Sequence, residues 1–445
     1  TLIIGTFGHG LVEIDLANRT QRHIQSNRLQ PLGLLDDNIW SMYKDSRGLV
    51  WIGAGNSLNI LDSRNSAIKH IFGGLDESNG LPERKVHSVA ALPDSLVIAN
   101  GQGEVYGQTV NAGVHAFYNT GSRLSGQTNV TDADVSMFHN TGYSGNSAHF
   151  LYFWLADADN DGMDEILYFM NQNSFYGDNA GNADNKIWVL DADSNQTGAM
   201  DSNIAFKIIP PEIDGVTDIQ KVGNRLVFGQ GAHGYGSAQN GRVDIVSTPI
   251  TSDTSLENMS DATLTGSSQS AFGSAMSFAD FDQDGTTDTV IGATAQGGAI
   301  YTYYQSPSSF SGVASGSGLA DTSFASSFSI YGIGHSLKAM GSVNDDVHPE
   351  LLVTALGEYG GGYKGEAYVV DGLCLDGTTS NINAASLVKL TGETNADRFG
   401  WASGTGDFNG DGKPDVVISA PFFMPDPNVG PQYGQDGKVY VWLSE

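Results

Sequence analysis

RFGWASGTGDFNGDGKPDVVISAP, residues 398–421, is the stretch of sequence that decides the fold. Within it, the acidic nonapeptide DFNGDGKPD (Asp407–Asp415) runs directly into the apolar segment VVISA. Carboxylate or amide side chains occupy positions 1, 3 and 5 of the nonapeptide, glycine occupies position 6, and an acid occupies position 9. This order predicts a tight, acidic turn that leads into a β-strand.

Two further segments have the same pattern, DADNDGMDE (Asp157–Glu165) and DFDQDGTTD (Asp280–Asp288). A weaker copy, SVNDDVHPE (Ser342–Glu350), has serine at position 1 and valine at position 6. Each copy precedes a strand-like run, and a glycine-rich stretch then leads to a second run, as in DVVISAP followed by GKVYVWL. The pattern therefore predicts repeated strand pairs that begin at acidic turns.

Repeats of this kind recur about every 40 to 60 residues, which is the spacing of propeller blades. The sequence predicts an all-β fold, a single β-propeller over residues 1–445 with seven or eight four-stranded blades. We expect the first unit to lack its inner strand, the last unit to lack its outer strand, and three Ser/Gly/Thr/Asn-rich stretches to be long loops. The predicted units are 1–26, 37–73, 86–118, 148–191, 216–247, 272–304, 331–371 and 399–443, and the predicted loops are 119–147, 248–270 and 305–328.

The last two-thirds of the chain resemble FG-GAP repeats of integrin-α-like propellers. In residues 398–421, Phe399-Gly400 and Ser419–Pro421 stand at the two signatures of that repeat, and residues 271–294 form a second copy. Residues 331–356 and 154–169 are degenerate copies, so the resemblance covers residues 148–445. It implies blades with calcium loops and an integrin-like binding function.

The first quarter resembles a different repeat, that of the propellers in two-component regulator sensors. The resemblance lies in IWSMYKDSRGLVWIGAGNSLNILD (Ile39–Asp62) and NGLPERKVHSV (Asn79–Val89), and it implies regulator-type blades over residues 1–118. Both resemblances imply the same architecture, although they do not explain why two kinds of repeat share one chain.

The acidic nonapeptides have the composition of calcium loops. Calcium takes six to eight oxygen ligands, and alternate side chains of a tight loop can point to one centre, while glycine permits the bend. An EF-hand would need glutamate at position 12, where this chain has Tyr168, Ile291 and Ile418. Plain hairpin turns are the alternative, but three acidic copies favour about three structural Ca²⁺ sites. The expected ligands, with backbone carbonyls at position 7, are Asp157, Asp159, Asp161, Met163 and Glu165; Asp280, Asp282, Asp284, Thr286 and Asp288; and Asp407, Asn409, Asp411, Lys413 and Asp415.

The composition limits the classes of partner and location. A net charge of −29 disfavours nucleic acid and anionic lipid as partners. The sequence contains no run of about 18 apolar residues, so it predicts no membrane-spanning segment. An intrachain disulfide is excluded because Cys374 is the single cysteine. The chain opens at Thr1 inside a strand-like run, which favours a processed form or a piece of a larger protein. We expect an extracellular, cell-surface or periplasmic protein.

The known catalytic motifs are not found in the sequence: it has no GxSxG, no HExxH, no Walker loop and no GxGxxG of the Rossmann type, which opens a helix. His233 and His335 are candidates to line a central channel. We expect most large aromatic residues to pack between blades, but some could stack on sugars; the candidates are Tyr301, Tyr303, Tyr304, Trp40, Trp154, Trp188, Trp401 and Trp442. The sequence therefore favours a non-enzymatic module that binds a protein or carbohydrate through rim loops. The alternatives are the ligand-sensing ectodomain of a two-component-type sensor and a polysaccharide lyase or hydrolase.

Overall fold

The computed structural model is built of short β-strands joined by turns, with a few single-turn helices. The residues it describes are 1–6, 8–16, 18–26, 33–45, 48–55, 57–62, 67–72, 86–92, 95–100, 103–105, 108–110, 113–118, 133–138, 151–170, 187–190, 198–201, 206–209, 216–231, 240–295, 298–325, 332–356, 364–376, 381–395, 397–421, 423 and 437–444.

The described chain falls into two compact units. Unit 1 comprises residues 1–210 and 251–255, and unit 2 comprises residues 211–250 and 256–445. Four multistranded sheets belong to each unit, and we number them sheets 1 to 8 in chain order. The prediction of one propeller over residues 1–445 stays a prediction.

Unit 1 begins with two antiparallel sheets in simple chain order. Their inner faces meet in one hydrophobic cluster, which contains Leu11, Ile52 and Leu61. Sheet 1 contains β1 (Leu2–Gly5), β2 (Leu11–Asp15) and β3 (Thr20–Ile24), and sheet 2 contains β4 (Ile39–Lys44), β5 (Leu49–Ala54), β6 (Ser57–Asp62) and β7 (Ala67–Phe72).

The rest of unit 1 forms sheets 3 and 4 and a two-stranded hairpin. The strands are β8 (Val86–Leu92), β9 (Ser95–Asn100), β10 (Gly103–Val105), β11 (Gln108–Val110), β12 (Gly113–Tyr118), β13 (Val135–Phe138), β14 (Leu151–Ala156), β15 (Glu165–Met170), β16 (Ile187–Leu190), β17 (Gly198–Asp201) and β18 (Phe206–Ile209). Sheet 3 has the order β17-β13-β12-β9-β8, and β10 pairs with β11. Sheet 4 has the order β14-β15-β16-β18, and a short strand at Thr254–Ser255 pairs parallel to β18 at its edge.

Unit 2 starts with sheet 5, which has five strands. In sheet order these are β19 (Asp218–Val222), β20 (Arg225–Gln230), β21 (Arg242–Ser247), β23 (Ser260–Thr265) and β27 (Gly312–Ser315), where β22 is the Thr254–Ser255 strand of sheet 4. Helix α1 (Leu256–Met259) precedes β23.

Sheets 6, 7 and 8 complete unit 2, and each follows the chain order strand by strand. Helix α2 (Gly316–Leu319) precedes the last strand of sheet 6, and helix α3 (Ile382–Ala385) precedes the last strand of sheet 7. The strands are β24 (Phe272–Ala279), β25 (Asp288–Ala293), β26 (Ala299–Tyr303) and β28 (Thr322–Ala325) in sheet 6; β29 (Ile333–Met340), β30 (Glu350–Ala355), β31 (Glu366–Val370) and β32 (Ser386–Thr391) in sheet 7; and β33 (Ser403–Gly406), β34 (Asp415–Ala420) and β35 (Lys438–Trp442) in sheet 8.

The sheets of unit 2 stack face to face in chain order. Side chains alternate between the two faces of a strand, so neighbouring residues can enter different cores. In β25, Val290 packs in the cluster shared with sheet 7, whereas Ile291 packs in the cluster shared with sheet 5. In β30, Leu352 packs toward sheet 8 while Leu351 and Val353 pack toward sheet 6. Every residue of β25 and β30 is buried, as this two-sided packing requires.

A glycine near the start of the first strand lets neighbouring sheets of unit 2 approach closely. Gly334 has a φ of +97°, and a Cβ there would lie 3.0 Å from the carbonyl oxygen of Ala299 in sheet 6. Gly273 has a φ of +89°, and its Cβ would lie 2.5 Å from the carbonyl oxygen of Arg242 in sheet 5. Only glycine combines this conformation with this approach, which explains the Phe-Gly signature of residues 272–273.

The prediction of an all-β fold is confirmed. Within the described residues the first and last sheets have three strands each, and which strand each unit lacks stays a prediction. The prediction of plain loops at 248–270 and 305–328 is wrong. Those stretches contain strands β22, β23, β27 and β28, which carry many of the serines and threonines and pair in sheets 4, 5 and 6, together with helices α1 and α2. Part of the third stretch, β13, is also a strand, while residues 119–132 and 139–147 lie outside the described residues.

Candidate metal loops

Four acidic loops connect the first and second strands of sheets 4, 6, 7 and 8. We call them loop 1 (Asp157–Glu165), loop 2 (Asp280–Asp288), loop 3 (Ser342–Glu350) and loop 4 (Asp407–Asp415), and we number the positions of each from 1 to 9. Position 9 is the first residue of the second strand in every case. The repeat thus places equivalent side chains at equivalent points of four sheets.

The acid at position 9 closes each loop. In loop 2, Asp288 Oδ2 accepts the backbone N–H of Phe281 at 2.8 Å and that of Asp282 at 3.4 Å. Glu165 Oε2 and Asp415 Oδ2 accept the N–H groups of positions 2 and 3 of their loops in the same way. In loop 3, Glu350 Oε2 accepts the N–H of Val343 at 2.9 Å.

Side chains at positions 3 and 5 fold the loop around its centre. In loop 2, Asp282 Oδ1 accepts the N–H of Asp284 at 3.1 Å, and Asp284 Oδ1 accepts the N–H of Thr286 at 2.6 Å. The same two bonds recur in loops 1 and 4. The amide of position 7 is therefore placed by the acid at position 5, while the role of its carbonyl in Met163, Thr286 and Lys413 stays a prediction.

Carboxylates from positions 1, 3 and 9 converge in loops 1 and 2. One oxygen from each of Asp280, Asp282 and Asp288 lies within 4.8 Å of the others, and so does one from each of Asp157, Asp159 and Glu165. The acids at position 5, Asp161 and Asp284, lie outside these groups of three. The structure thus brings together three of the four acidic side chains predicted for each of these loops.

The centre of loop 2 contains buried oxygens that no hydrogen bond satisfies. Asp288 is fully buried, and neither its Oδ1 nor Asp280 Oδ1 has a hydrogen-bond partner in the structure. A buried charged oxygen without a partner is strongly unfavourable, and a cation would compensate it. Hard oxygen donors of this kind suit calcium, so the residues of loop 2 fit the predicted ion.

The closing acids of loops 1 and 2 have raised pKa values, because no positive charge offsets their burial. Burial, together with the neighbouring acids Asp282 and Asp280, raises the pKa of Asp288 to about 6. Burial, with Asp159 and Asp161 nearby, raises the pKa of Glu165 to about 7. A divalent ion at the centre would reverse this effect, because it favours the ionised carboxylate.

Loop 4 has the same backbone bonds but fewer open oxygens. The second oxygen of its closing acid, Asp415 Oδ1, accepts the N–H of Ser444 at 2.9 Å. Position 3 is Asn409, whose Nδ2 donates to Asp411 at 2.7 Å. The oxygens of Asp407 accept the N–H groups of residues 410, 411 and 412. The ligands predicted for loop 4 are thus close to one another, but hydrogen bonds within the protein already use most of them.

Loop 3 connects its two neighbours. His348 Nδ1 lies 2.8 Å from the carbonyl oxygen of Phe281 in loop 2, and it must be the donor because a carbonyl only accepts. On the other side, Lys413 of loop 4 donates to Asp345 Oδ2 at 2.9 Å. Ser342, Asn344 and Asp346 hydrogen-bond to one another. Loops 2, 3 and 4 therefore form one continuous acidic edge of unit 2.

Two features of the loops escaped the sequence analysis. Position 4 is left-handed in every loop, with φ values of +65° at Asn160, +62° at Gln283, +65° at Asp345 and +85° at Gly410. Position 2 carries an apolar anchor, as shown by Phe281, which is fully buried. The asparagine, aspartate and glycine at position 4 were the available signal, because these residues tolerate a positive φ.

Comparison with known protein families identifies one repeat, at the C-terminal end of the chain. Residues 399–442 match the family model of the FG-GAP repeat, so the chain contains a repeat of this family. The match covers sheet 8 and loop 4, and it confirms the resemblance proposed for residues 398–421. No curated protein matches the chain. The resemblance of the first quarter to regulator repeats stays a prediction.

Among the other candidate residues, His335 lies on β29, where its Nε2 is 3.1 Å from the carbonyl oxygen of Trp401. His233 lies outside the described residues. No helix of the described residues is long and apolar enough to cross a membrane.

Proposed function

We propose that this protein is a calcium-binding β-propeller of the FG-GAP type that acts outside the cytoplasm as a binding module. The observation that carries the proposal is the centre of loop 2, where Asp280 Oδ1 and Asp288 Oδ1 are buried without hydrogen-bond partners. The FG-GAP match at residues 399–442 supports it, because such repeats are typical of integrin-like extracellular interaction proteins.

Calcium has a structural task in this proposal. Loops 1, 2 and 4 would hold the ion through the side chains at positions 1, 3, 5 and 9, and the ion would offset the repulsion between those carboxylates. The exposed edge formed by loops 2, 3 and 4 would then be rigid, as a rim that presents a binding surface must be. The module performs no chemical step; its partner is a protein or a carbohydrate.

Calorimetric titration of chelator-stripped protein tests the metal. We expect two or more sites with dissociation constants of roughly 10⁻⁴ to 10⁻³ M, as in extracellular calcium modules, and a rise in melting temperature. The control is Ser342→Ala in loop 3, which should leave the number of sites unchanged. An absence of heat and of thermal stabilisation at millimolar calcium would refute the metal sites.

Electron microscopy of the calcium-loaded protein tests the architecture. We expect class averages of a closed ring with seven or eight blades, because the sheets of unit 2 stack in chain order. Two separate bodies at variable distances would contradict a single propeller and leave the calcium sites to be judged by calorimetry alone.

A further inference from the structure

Three sheets of the protein have a fifth strand that is added parallel to the fourth. β17 pairs with β13 in sheet 3, β22 pairs with β18 in sheet 4, and β27 pairs with β23 in sheet 5. Each added strand comes from the segment that connects the third and fourth strands of the next sheet. The other strand pairs of these sheets are antiparallel, so each parallel pair marks a segment laid along the outer edge of a finished four-stranded sheet.

The fourth strand of sheet 7, β32, is built like the fourth strand of sheet 5, β23. Each strand follows a single-turn helix and begins with a serine, Ser260 or Ser386, whose hydroxyl donates to the carbonyl oxygen of the first helical residue at 2.6 Å and 2.5 Å. In both strands the residue after this serine is bulged out of the register with the third strand. The sequences SDATLT (260–265) and SLVKLT (386–391) end on the same Leu-Thr pair, so the two edges match residue by residue.

Only one of these two edges is covered in the described part of the chain. β27 pairs with residues 262–265 of β23, whereas no described strand pairs with the outer side of β32. Residues 262–264 are buried, while the matching residues 388–390 are half-buried or exposed. Alternate N–H and C=O groups of an edge strand point outward and can pair with another strand. β32 thus presents an edge of a kind that this protein fills elsewhere.

The charged residue of β32 does not obstruct its edge. A lysine on an edge strand commonly discourages pairing with another chain. Here Lys389 Nζ lies 2.8 Å from Glu366 Oε1 and 5.3 Å from the centre of the Tyr368 ring, and both partners are on β31. The ammonium group is therefore turned back over its own sheet, away from the outer edge.

The strand β27 shows which features an occupant of such an edge has. Its four residues, GVAS, are small and uncharged, and Thr265 Oγ1 of β23 donates to the carbonyl oxygen of Ala314 at 3.1 Å. Two residues before β27, Phe310 is buried, and its ring packs edge-on at 5.4 Å against Tyr303, the last residue of β26. At the matching points beside β32 lie Thr391 and the half-buried Trp442, the last residue of β35.

We propose that the outer edge of β32 binds an extended segment of a protein partner as a fifth, parallel strand. The segment has small, uncharged residues opposite residues 388–391, and an aromatic residue before them that packs against Trp442. Two copies of this chain related by a two-fold axis would pair their β32 strands antiparallel, so a parallel strand requires a different segment. This inference rests on the proposed role as a binding module and places the partner at the outer edge of sheet 7, apart from the acidic loops.

A peptide with the sequence FSGVASGSG, residues 310–318, is the probe, because it contains the protein's own fifth strand and its aromatic anchor. Hydrogen exchange of the full chain is followed by mass spectrometry in calcium, with and without roughly 5 mM peptide, an excess suited to a single short strand. Exchange within residues 386–391 should slow about fivefold or more, because an added strand protects the edge amides. Residues 260–265, whose edge is already covered, should not change and are the internal control.

Two N-methylated versions of the peptide separate strand pairing from simple apolar contact. Alternate N–H groups of a strand face opposite edges, so methyl groups on the nitrogens of Val313 and Ser315 block one edge, and methyl groups on those of Gly312 and Ala314 block the other. One version should lose binding and the other should keep it.

A pair of protein variants tests the hydroxyl at the end of β32. Thr391→Val should weaken peptide binding about fivefold, because it removes the hydroxyl that matches the Thr265 donor. Thr391→Ser keeps a hydroxyl at this exposed position and should bind the peptide normally.

The outcomes also distinguish this inference from the proposed function. If calcium stabilises the protein but the peptide does not slow exchange at residues 386–391, or if both N-methylated peptides act alike, the strand site is refuted and the calcium module stands. Slow exchange without peptide at every protein concentration would show an edge already covered within the chain, and slowing that grows with protein concentration would assign the edge to a second copy; both results refute the proposed partner. Peptide binding as expected without calcium binding would refute the metal loops and leave the strand site standing.

Discussion

Loops 2 and 4 share one sequence pattern and one set of backbone hydrogen bonds, but they differ in the oxygens that remain. In loop 2 the closing acid Asp288 keeps a buried Oδ1 without a partner, whereas in loop 4 Asp415 Oδ1 accepts the N–H of Ser444. The protein therefore leaves buried oxygens of loop 2 without compensation, whereas in loop 4 its own backbone N–H groups satisfy most of the equivalent oxygens. Two loops with the same sequence motif can therefore differ in how much a bound cation would stabilise them.

Replacing the closing acid by its amide should have opposite effects in the two loops without calcium. Asp288→Asn should maintain or raise the melting temperature, because the new amide removes a buried charge and can donate to Asp280 or Asp282. Asp415→Asn should destabilise by about 1–3 kcal/mol, because both oxygens of Asp415 accept hydrogen bonds and one would become a donor.

With calcium, Asp288→Asn should lose about a hundredfold or more in affinity at loop 2, where a charged ligand disappears. Thermal melts with chelator and calorimetry with calcium measure the two effects. Equal losses of stability in both calcium-free variants would show that loop 2 is as self-sufficient as loop 4.

The stability of the calcium-free protein should depend on pH through the two buried loop acids Asp288 and Glu165. Burial raises the pKa of Asp288 to about 6 and that of Glu165 to about 7, above the values of ~3.9 and ~4.3 in an unfolded chain. The folded state then holds more protons than the unfolded state between about pH 4 and pH 7, so its stability falls as the pH rises through this window.

Urea denaturation with chelator at pH 5 and pH 8 measures this slope, and Asp288→Asn should reduce it. Calcium competes with the same protons, so its affinity for loop 2 should decrease as the pH falls below about 6. A calcium-free protein that becomes more stable between pH 5 and pH 8 would contradict this account of the loop centres.

Asn409→Asp makes loop 4 resemble loop 2 at position 3. The substitution removes the amide that donates to Asp411 and adds a carboxylate, so calcium affinity at loop 4 should rise about threefold to tenfold. Calorimetry measures it against the reciprocal variant Asp282→Asn, which should weaken loop 2. An unchanged affinity in both variants would mean that position 3 does not contact the ion.

The smallest expected effect on stability comes from exchanging the residues at position 4 of loops 2 and 4. Gln283 has a φ of +62°, and the equivalent residue of loop 4 is Gly410. Gln283→Gly should stabilise loop 2 slightly, by about 0.5 kcal/mol, whereas Gly410→Gln should destabilise loop 4 by about 1 kcal/mol. Chemical denaturation at fixed calcium measures both, and effects of the same sign would show that the left-handed turn is not what distinguishes these residues.

Much of the fold follows from local sequence. The runs at 289–293, 350–355 and 415–419 lie in strands because β-branched and apolar residues follow an acidic turn, and both signals are local. The outer strands were missed because β27 and β28 have the composition of loops. Their pairing depends on a neighbouring strand that a local pattern does not reveal.

The candidate site shows the same limit. The grouping of the acids at positions 1, 3 and 9 could be predicted, because oxygen-bearing side chains alternate around a glycine bend. The role of Ser444 in loop 4 could not, because it lies 29 residues after Asp415 and reaches that acid only through the pairing of β34 with β35. The same is true of the contact between His348 and the Phe281 carbonyl, which crosses from one sheet to the next.

The sideways attachment of loop 3 has a consequence for how such a chain diverges. Its hydrogen bonds to Phe281 and Lys413 hold it in place, although position 6, which is glycine in loops 1, 2 and 4, is Val347 here. In a tandem array each copy touches only its neighbours, so one copy can drift while the copies beside it keep the edge in register. Loop 3 has changed in this way at positions 1 and 6, yet its closing acid Glu350 still carries a buried Oε1 without a hydrogen-bond partner, so the drift has spared the one position that joins the loop to its strand.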